Sequence, residues 1–322
     1  MALTGDMSGS WILVGMGIML LSSGITSYAN ILMKMDAIQL RDDPNPRFIM
    51  FRKFVIVAVS LYVVGGIADL VSLGIVPLSL RACASVLTIP FNAVFAKVSL
   101  NESMTRTQII GSALTVFSCL IAMIFAAKQA DSTNDGSTQT PVIDHILSKS
   151  VGLLTAFTLP LDLACLYLVN KNLPKAGSNV GLPMYKNSFQ RSLVLFSSTY
   201  AASYQTAWTN LFIKGVAMIA QESFLYPSLW VLVALLGASA LAQMVLMSSM
   251  MRLFDAVVAI PPYQIAITVW LVVFSAVAFE ERVSNLAGFV CALLISFFGI
   301  FLVAFPSRRA RERDDFHILV NV

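Results

Sequence analysis

Residues 53–100 read KFVIVAVSLYVVGGIADLVSLGIVPLSLRACASVLTIPFNAVFAKVSL. Two apolar runs, 53–74 and 78–100, are separated only by a tight turn from Gly74 to Pro77. Each run is long enough for a helix to cross the hydrocarbon core of a bilayer, which takes about 20 residues. Working outward, further runs of that length lie at 11–33, 107–127, 150–170, 193–221, 228–250, 256–278 and 285–306. The fold class is therefore an all-α membrane protein of about nine spans. Composition agrees: 57% of the 322 residues are hydrophobic, 12% are charged and the mean hydropathy is +0.80. Average globular usage is roughly 25% charged. The sixth run is longer than a span needs, so it is expected to tilt or to carry a wet end.

The basic residues orient the bundle. With the N-terminus outside, 16 of the 21 Lys and Arg fall in the cytoplasmic pieces, ending with Arg308, Arg309, Arg311 and Arg313. The exterior keeps Arg81, Lys128, Lys149 and Arg282, while Lys214 lies within a span. This positive-inside bias predicts an exterior N-terminus and a cytoplasmic C-terminus. The net charge of +4 is mostly that orientation code and does not point to nucleic acid. Met1 to Ser10 has no basic n-region, so no cleavable signal peptide is expected. The only histidines, His145 and His317, lie in a loop and a tail. That excludes a histidine zinc site or a Ser-His-Asp set within the membrane. Cys83, Cys119, Cys165 and Cys291 sit in separate apolar spans without Cys-x-x-Cys spacing and read as small packed residues.

Residues 128–149 are polar and Gly/Ser/Thr-rich, and they read as a flexible exterior linker. They divide a first half, 1–127 with spans 1–4, from a second, 150–306 with spans 5–9. Residues 307–322 form a cytoplasmic tail. The sequon at Asn101 falls on the cytoplasmic side, so no glycan is expected there.

The halves resemble each other. Thr26-Ser-Tyr-Ala-Asn30-Ile-Leu-Met-Lys34 in span 1 matches Thr206-Ala-Trp-Thr-Asn210-Leu-Phe-Ile-Lys214 in span 6. VFAKVSLNESM at the end of span 3 resembles VFSAVAFEERV at the end of span 8, which pairs Glu102 with Glu281. Spans 1–4 thus map onto spans 6–9 with an odd offset, so each element meets its copy inverted. Inverted repeats are characteristic of secondary transporters.

A charge at the bilayer centre costs roughly 2.5–3.5 kcal/mol on insertion scales, so such groups usually face a cavity or a partner. The candidates are Asp69, Asp162 and Lys214. Arg81 and Lys97 lie near the ends of span 3, from which they can snorkel to the interface. The uncharged polar set comprises Asn30, Asn92, Asn210, Gln243 and Gln264. Asp69 and Asp162 could bind a hard cation such as Mg²⁺, which prefers oxygen and is commonly held by one or two carboxylates plus water. The alternative for Asp162 is an ion pair with Lys214. Pro90, Pro160, Pro261 and Pro262 lie inside spans. A broken turn at Pro261-Pro262 would present Tyr263 and Gln264 to the interior, and a plain kink is the alternative. The methionines 244, 247, 250 and 251 read as packing rather than copper ligands.

The chain as a whole resembles the NIPA family of magnesium transporters, within the drug/metabolite transporter superfamily. The resemblance runs from about residue 12 to 306. It is carried by Gln243 to Phe279, with matches at Gln243, Phe254, Pro261 and Tyr263. Lys214-Gly215, Leu100-Asn101-Glu102, Ser22-Ser23 and Lys34 add to it. The chain departs from the family where a G-E-x-x-N pattern becomes Gly65-Gly66-Ile67-Ala68-Asp69, and where T-P-L-G becomes Ala82-Cys83-Ala84-Ser85 after Arg81. The intramembrane acid has moved by three residues and an arginine stands nearby.

The resemblance implies a transporter of divalent cations, Mg²⁺ foremost, working by alternating access. It implies no resident cofactor and an integral position in the plasma membrane or an endosomal membrane. The expected pathway residues are Asn30, Asp69, Asp162, Asn210, Lys214, Gln243, Tyr263 and Gln264, with Asp69 and Asp162 as metal ligands. The expected partners are the lipid bilayer and the ion, with a homo-oligomer left open. A rival reading is a small organic or anionic metabolite held by Arg81 and Lys214. Another is a non-transporting scaffold or receptor. No nucleophile–base set appears, so no enzyme is expected.

Overall fold

In a bilayer every backbone N–H and C=O must be satisfied within the segment or by protein neighbours, which leaves the helix as the way to fold these apolar runs. A computed structural model of the chain is all-helical among the described residues. Those residues are 9–42, 53–100, 106–127, 148–172, 188–222, 224–254, 256–279 and 285–304. Most of the linker, the tail, Asn101, Glu102, Glu280 and Glu281 lie outside them.

The helices are α1 (Gly9–Asp42), α2 (Lys53–Ile75), α3 (Leu78–Ser85), α4 (Thr88–Leu100) and α5 (Arg106–Ala127). They continue as α6 (Lys149–Asn172), α7 (Ser188–Glu222), α8 (Pro227–Leu253), α9 (Ala256–Ala278) and α10 (Leu286–Ala304). Among the described residues, six stretches are long and apolar enough to cross a membrane: Leu13–Asp36, Lys53–Ile75, Leu78–Ser99, Lys149–Asn172, Pro227–Met251 and Ala259–Ala278. Shorter apolar helical stretches lie at Arg106–Ile121 and Ala287–Leu302. Helix α7 has 35 residues. That is roughly 50 Å at about 1.5 Å per residue, well beyond the roughly 30 Å hydrocarbon core.

The third apolar run is not one helix. It breaks at Val86–Leu87. The cause is Pro90, which has no N–H to offer the carbonyl of Val86 and whose ring crowds that carbonyl. The Ile89 N–H takes that carbonyl instead, three residues on, at 3.1 Å. Pro90 then falls in the first turn of α4, where its missing donor costs little. Side chains from other helices join the carbonyls around the break. Ser23 Oγ donates to Ala84 O at 3.4 Å, Ser27 Oγ to Thr88 O at 3.1 Å and Cys119 Sγ to Cys83 O at 3.0 Å. By contrast Pro261 and Pro262 lie inside a continuous α9, so Tyr263 and Gln264 turn inward without a broken turn.

The pairings of the helices repeat. Helix α1 lies along α2 as α7 lies along α8, and α1 meets α4 as α7 meets α9. Helix α5 touches α3 and α4 as α10 touches α9. Contacts of α2 with α7 are mirrored by those of α1 with α8, and α5 packs on α10. Close approach in that last pair needs a residue without a side chain. A Cβ at Gly299 would lie 2.6 Å from Thr115 Oγ1 and 2.9 Å from the Gly111 carbonyl oxygen.

Helix α7 runs through the core, with Tyr204, Ala207 and Leu211 fully enclosed. Its aromatic residues pack on α9: Tyr204 and Trp208 meet Trp270 and Phe274 with ring centroids 5.1 Å apart. Helices α6 and α8 form the outside and expose apolar side chains such as Phe157, Leu163, Trp230 and Val245.

Candidate functional site

Between α1, α2, α3, the start of α4, α7, α8 and α9 lies a cavity of about 420 Å³. Six of the residues singled out from the sequence line it: Asn30, Asp69, Asn210, Gln243, Tyr263 and Gln264. Thr26 and Thr206, which occupy matching places in the similar stretches 26–34 and 206–214, line it as well. Much of the remaining wall is aliphatic, from residues such as Ile67, Ile213, Leu236 and Ile260.

The polar groups are held by their neighbours. Tyr62 donates its hydroxyl hydrogen to Asn30 Oδ1. The Asn210 amide donates to the Thr206 carbonyl at 2.8 Å, one turn back on α7. The hydroxyls of Thr206 and Tyr263 share a hydrogen bond of 2.9 Å, which ties α7 to α9. Thr88 donates to Gln264 Oε1 at 2.8 Å, while the buried Gln264 Nε2 has no hydrogen-bond partner.

The charged centre of the cavity is an ion pair. Arg81 Nη2 donates to Asp69 Oδ2 at 2.6 Å, and both side chains are more than nine-tenths buried. The pair uses one oxygen and one nitrogen. Asp69 Oδ1 is buried without a hydrogen-bond partner. The other contacts of the guanidinium are long: Nε to Asn210 Oδ1 and Nη1 to Ser23 Oγ, both at 3.4 Å. A two-pronged Arg–carboxylate fork, the strongest arrangement of these groups, is therefore not formed. Each ion alone would be costly to bury, so the two depend on each other.

Arg81 does not snorkel to the exterior interface as its place near a span end suggests. All eight residues of α3 are buried. The side chain, enclosed on every side, reaches its counter-ion across the turn at Val76–Pro77. The neighbours Ala82, Cys83, Ala84 and Ser85 are small, and that run was the sequence signal of a helix packed on all sides.

The other two named residues lie elsewhere. The Lys214 ammonium donates to the carbonyl oxygens of Leu73 at 2.9 Å and Val76 at 3.0 Å. Gln221 Nε2 donates to the Gly74 carbonyl at 2.9 Å. These carbonyls belong to the end of α2, where a helix leaves acceptors unsatisfied and its dipole favours a cation. Lys214 thus caps α2. Asp162 is buried on α6. Its Oδ2 accepts from Gln205 Nε2 at 3.2 Å, not from Lys214, and its Oδ1 has no hydrogen-bond partner. Asp69 and Asp162 therefore do not share the cavity. Among the described residues no group of three or more His, Cys, Asp or Glu side chains is placed to hold a metal ion. Tyr62 and Thr88 are lining residues with no place in the sequence-based set, and Arg81, expected there only for an anionic substrate, lines the cavity too.

Neither the curated proteins nor the solved structures include a match to this chain. The sequence profile of the family described as magnesium transporter NIPA matches residues 12–311, nearly the whole length. The chain belongs to that family of membrane transporters.

Proposed function

We propose that the chain carries Mg²⁺ across the membrane by alternating access, with the cavity at Asp69 as the ion's station. The observation that carries this reading is Asp69, a carboxylate that lines the cavity and whose buried Oδ1 has no hydrogen-bond partner. Mg²⁺ dehydrates reluctantly and is usually bound through one or two carboxylates with several waters retained. Six waters at roughly 30 Å³ each take up roughly 180 Å³, so the cavity of about 420 Å³ has room for the hydrated ion. Asp69 supplies the charge. The carbonyl oxygens of Asn30, Asn210 and Gln264 accept from the water shell. Asp162 and Lys214, kept as pathway residues by the sequence reading, act outside this station.

Alternating access is supported by the repeated helix pairings, in which α1, α2, α3–α4 and α5 correspond to α7, α8, α9 and α10. Two such halves of opposite orientation can exchange conformations, which opens the cavity to one side and then the other. A second reading, an organic anion, has the buried guanidinium of Arg81 and the aliphatic wall in its favour.

The test is uptake by purified protein in liposomes that enclose a Mg²⁺-sensitive dye. The wild type is expected to admit Mg²⁺ and the Asp69→Asn variant to lose most of that flux while remaining monodisperse. Undiminished Mg²⁺ flux in Asp69→Asn would rule out the proposed station.

A further inference from the structure

Arg81 brings a fixed positive charge to the very carboxylate that is to receive a cation. A surplus charge there weakens binding by repulsion. We infer that Arg81 is a tethered stand-in for the transported ion: its guanidinium occupies Asp69 while the carrier is empty, and Mg²⁺ enters by displacing it. This rests on the Mg²⁺ reading of the cavity and adds what the empty carrier does.

Three observations carry it. The pair is end-on, a single short bond at 2.6 Å, so one carboxylate oxygen is engaged while the other, buried beside it, has no hydrogen-bond partner. The guanidinium already touches the places to which it can withdraw, Asn210 Oδ1 on α7 and Ser23 Oγ on α1, at 3.4 Å each. Bonds of that length lie at the outer edge of hydrogen bonding and shorten if the side chain shifts toward them. Finally, Asn210 lies in the second half of the chain and Asp69 in the first, so Arg81 stands between the two bodies that alternating access moves.

The physical consequence concerns the return step. A carrier that must reorient empty with a bare carboxylate in its core meets the full desolvation cost of that ion. Exchange of one Mg²⁺ for another avoids the step, but net transport does not. With Arg81 on Asp69 the empty cavity is neutral, so the empty carrier can reorient. The cost appears as weaker Mg²⁺ binding.

The experiment compares wild type, Arg81→Lys, Arg81→Gln and the double variant Asp69→Asn/Arg81→Gln in liposomes. Net uptake into Mg²⁺-free vesicles and isotope exchange between Mg²⁺-loaded vesicles and medium are measured side by side. Affinity is taken from the Mg²⁺ dependence of each. The wild type is expected to perform both at comparable rates. Arg81→Gln is expected to bind Mg²⁺ about tenfold more tightly, because a unit charge within a few ångströms is removed at intermediate dielectric. It is also expected to keep exchange while losing most net uptake. Arg81→Lys retains both activities. The double variant binds no Mg²⁺.

Weaker binding, or equal loss of exchange and net uptake, in a folded Arg81→Gln protein overturns the inference and favours an anionic substrate. Should Arg81→Gln fail to fold, the wild-type ratio decides: exchange without net uptake means that the empty carrier does not return, which also overturns it. Absence of any Mg²⁺ flux in the wild type sinks the Mg²⁺ reading itself, a different outcome from either of these.

Discussion

Lys214 Nζ lies 2.9 Å from the carbonyl oxygen of Leu73, so a side chain of α7 closes the C-terminal end of α2. Lys214→Met leaves the carbonyls of Leu73 and Val76 without that donor. A buried acceptor stripped of its partner costs about 1–3 kcal/mol. The purified variant is expected to unfold at a lower temperature than wild type and to keep the same Mg²⁺-induced rise in melting temperature. A preserved melting temperature with no Mg²⁺ response would instead place Lys214 on the ion's path.

Removal of one partner from the Asp69–Arg81 pair leaves a buried charge uncompensated, which costs about 3–5 kcal/mol. Asp69→Asn is therefore expected to destabilise the protein more than the double change Asp69→Asn/Arg81→Met, which removes both charges. Thermal unfolding of the single and double variants in the same detergent completes the cycle. Strictly additive effects would show that the two side chains do not act as a pair.

Asp162 is separated from the cavity and bonded to Gln205. Asp162→Asn is expected to leave the affinity for Mg²⁺ within about twofold of wild type, whereas Asp69→Asn abolishes it. A common loss in both variants would return Asp162 to the ion's path.

The close approach of α5 and α10 depends on Gly299. Gly299→Val forces its side chain into Thr115 and the Gly111 backbone, and overpacking of this kind costs about 1–3 kcal/mol. Reduced yield of monodisperse protein is expected, and Gly299→Ala should fall between the two. Equal yield of all three would mean that the helices part without cost.

The charge bias predicts an exterior N-terminus and a cytoplasmic C-terminus. Epitope tags at each end, probed in intact and permeabilised cells, decide this. Both tags accessible from one side would require an even number of spans.

Much of this architecture was written in the apolar runs, because helix length and bilayer thickness are tied by simple geometry. The break at Val86–Leu87 was less plain. Pro90 announces a disturbance, but Pro261 and Pro262 lie in a continuous α9, so a proline by itself does not tell whether a helix bends or stops. The cavity residues Asn30 and Asn210 could be found from the repeat, since a polar residue that recurs at matched positions deep in lipid needs a common reason. Arg81 was misplaced because snorkelling is judged from distance to the span end, whereas its fate is set by the full enclosure of α3. An ion pair between Lys214 and Asp162 is the alternative that their charges alone suggest. Each found a neutral partner closer by, a carbonyl at a helix end and an amide one helix away.

The pairing of Asp69 with Arg81 also bears on how the chain enters the membrane. The two residues stand on either side of one tight turn, on the consecutive helices α2 and α3. Their charges can cancel as soon as that turn forms, before Asn210 has left the ribosome. A chain truncated after Ala127 is accordingly expected to integrate its third hydrophobic run, and Asp69→Leu in that truncated chain to send Arg81 back toward the aqueous side, read by glycosylation-site mapping. The centre of the cavity would then be assembled by the first half alone, and the second half would close around a charge balance already struck.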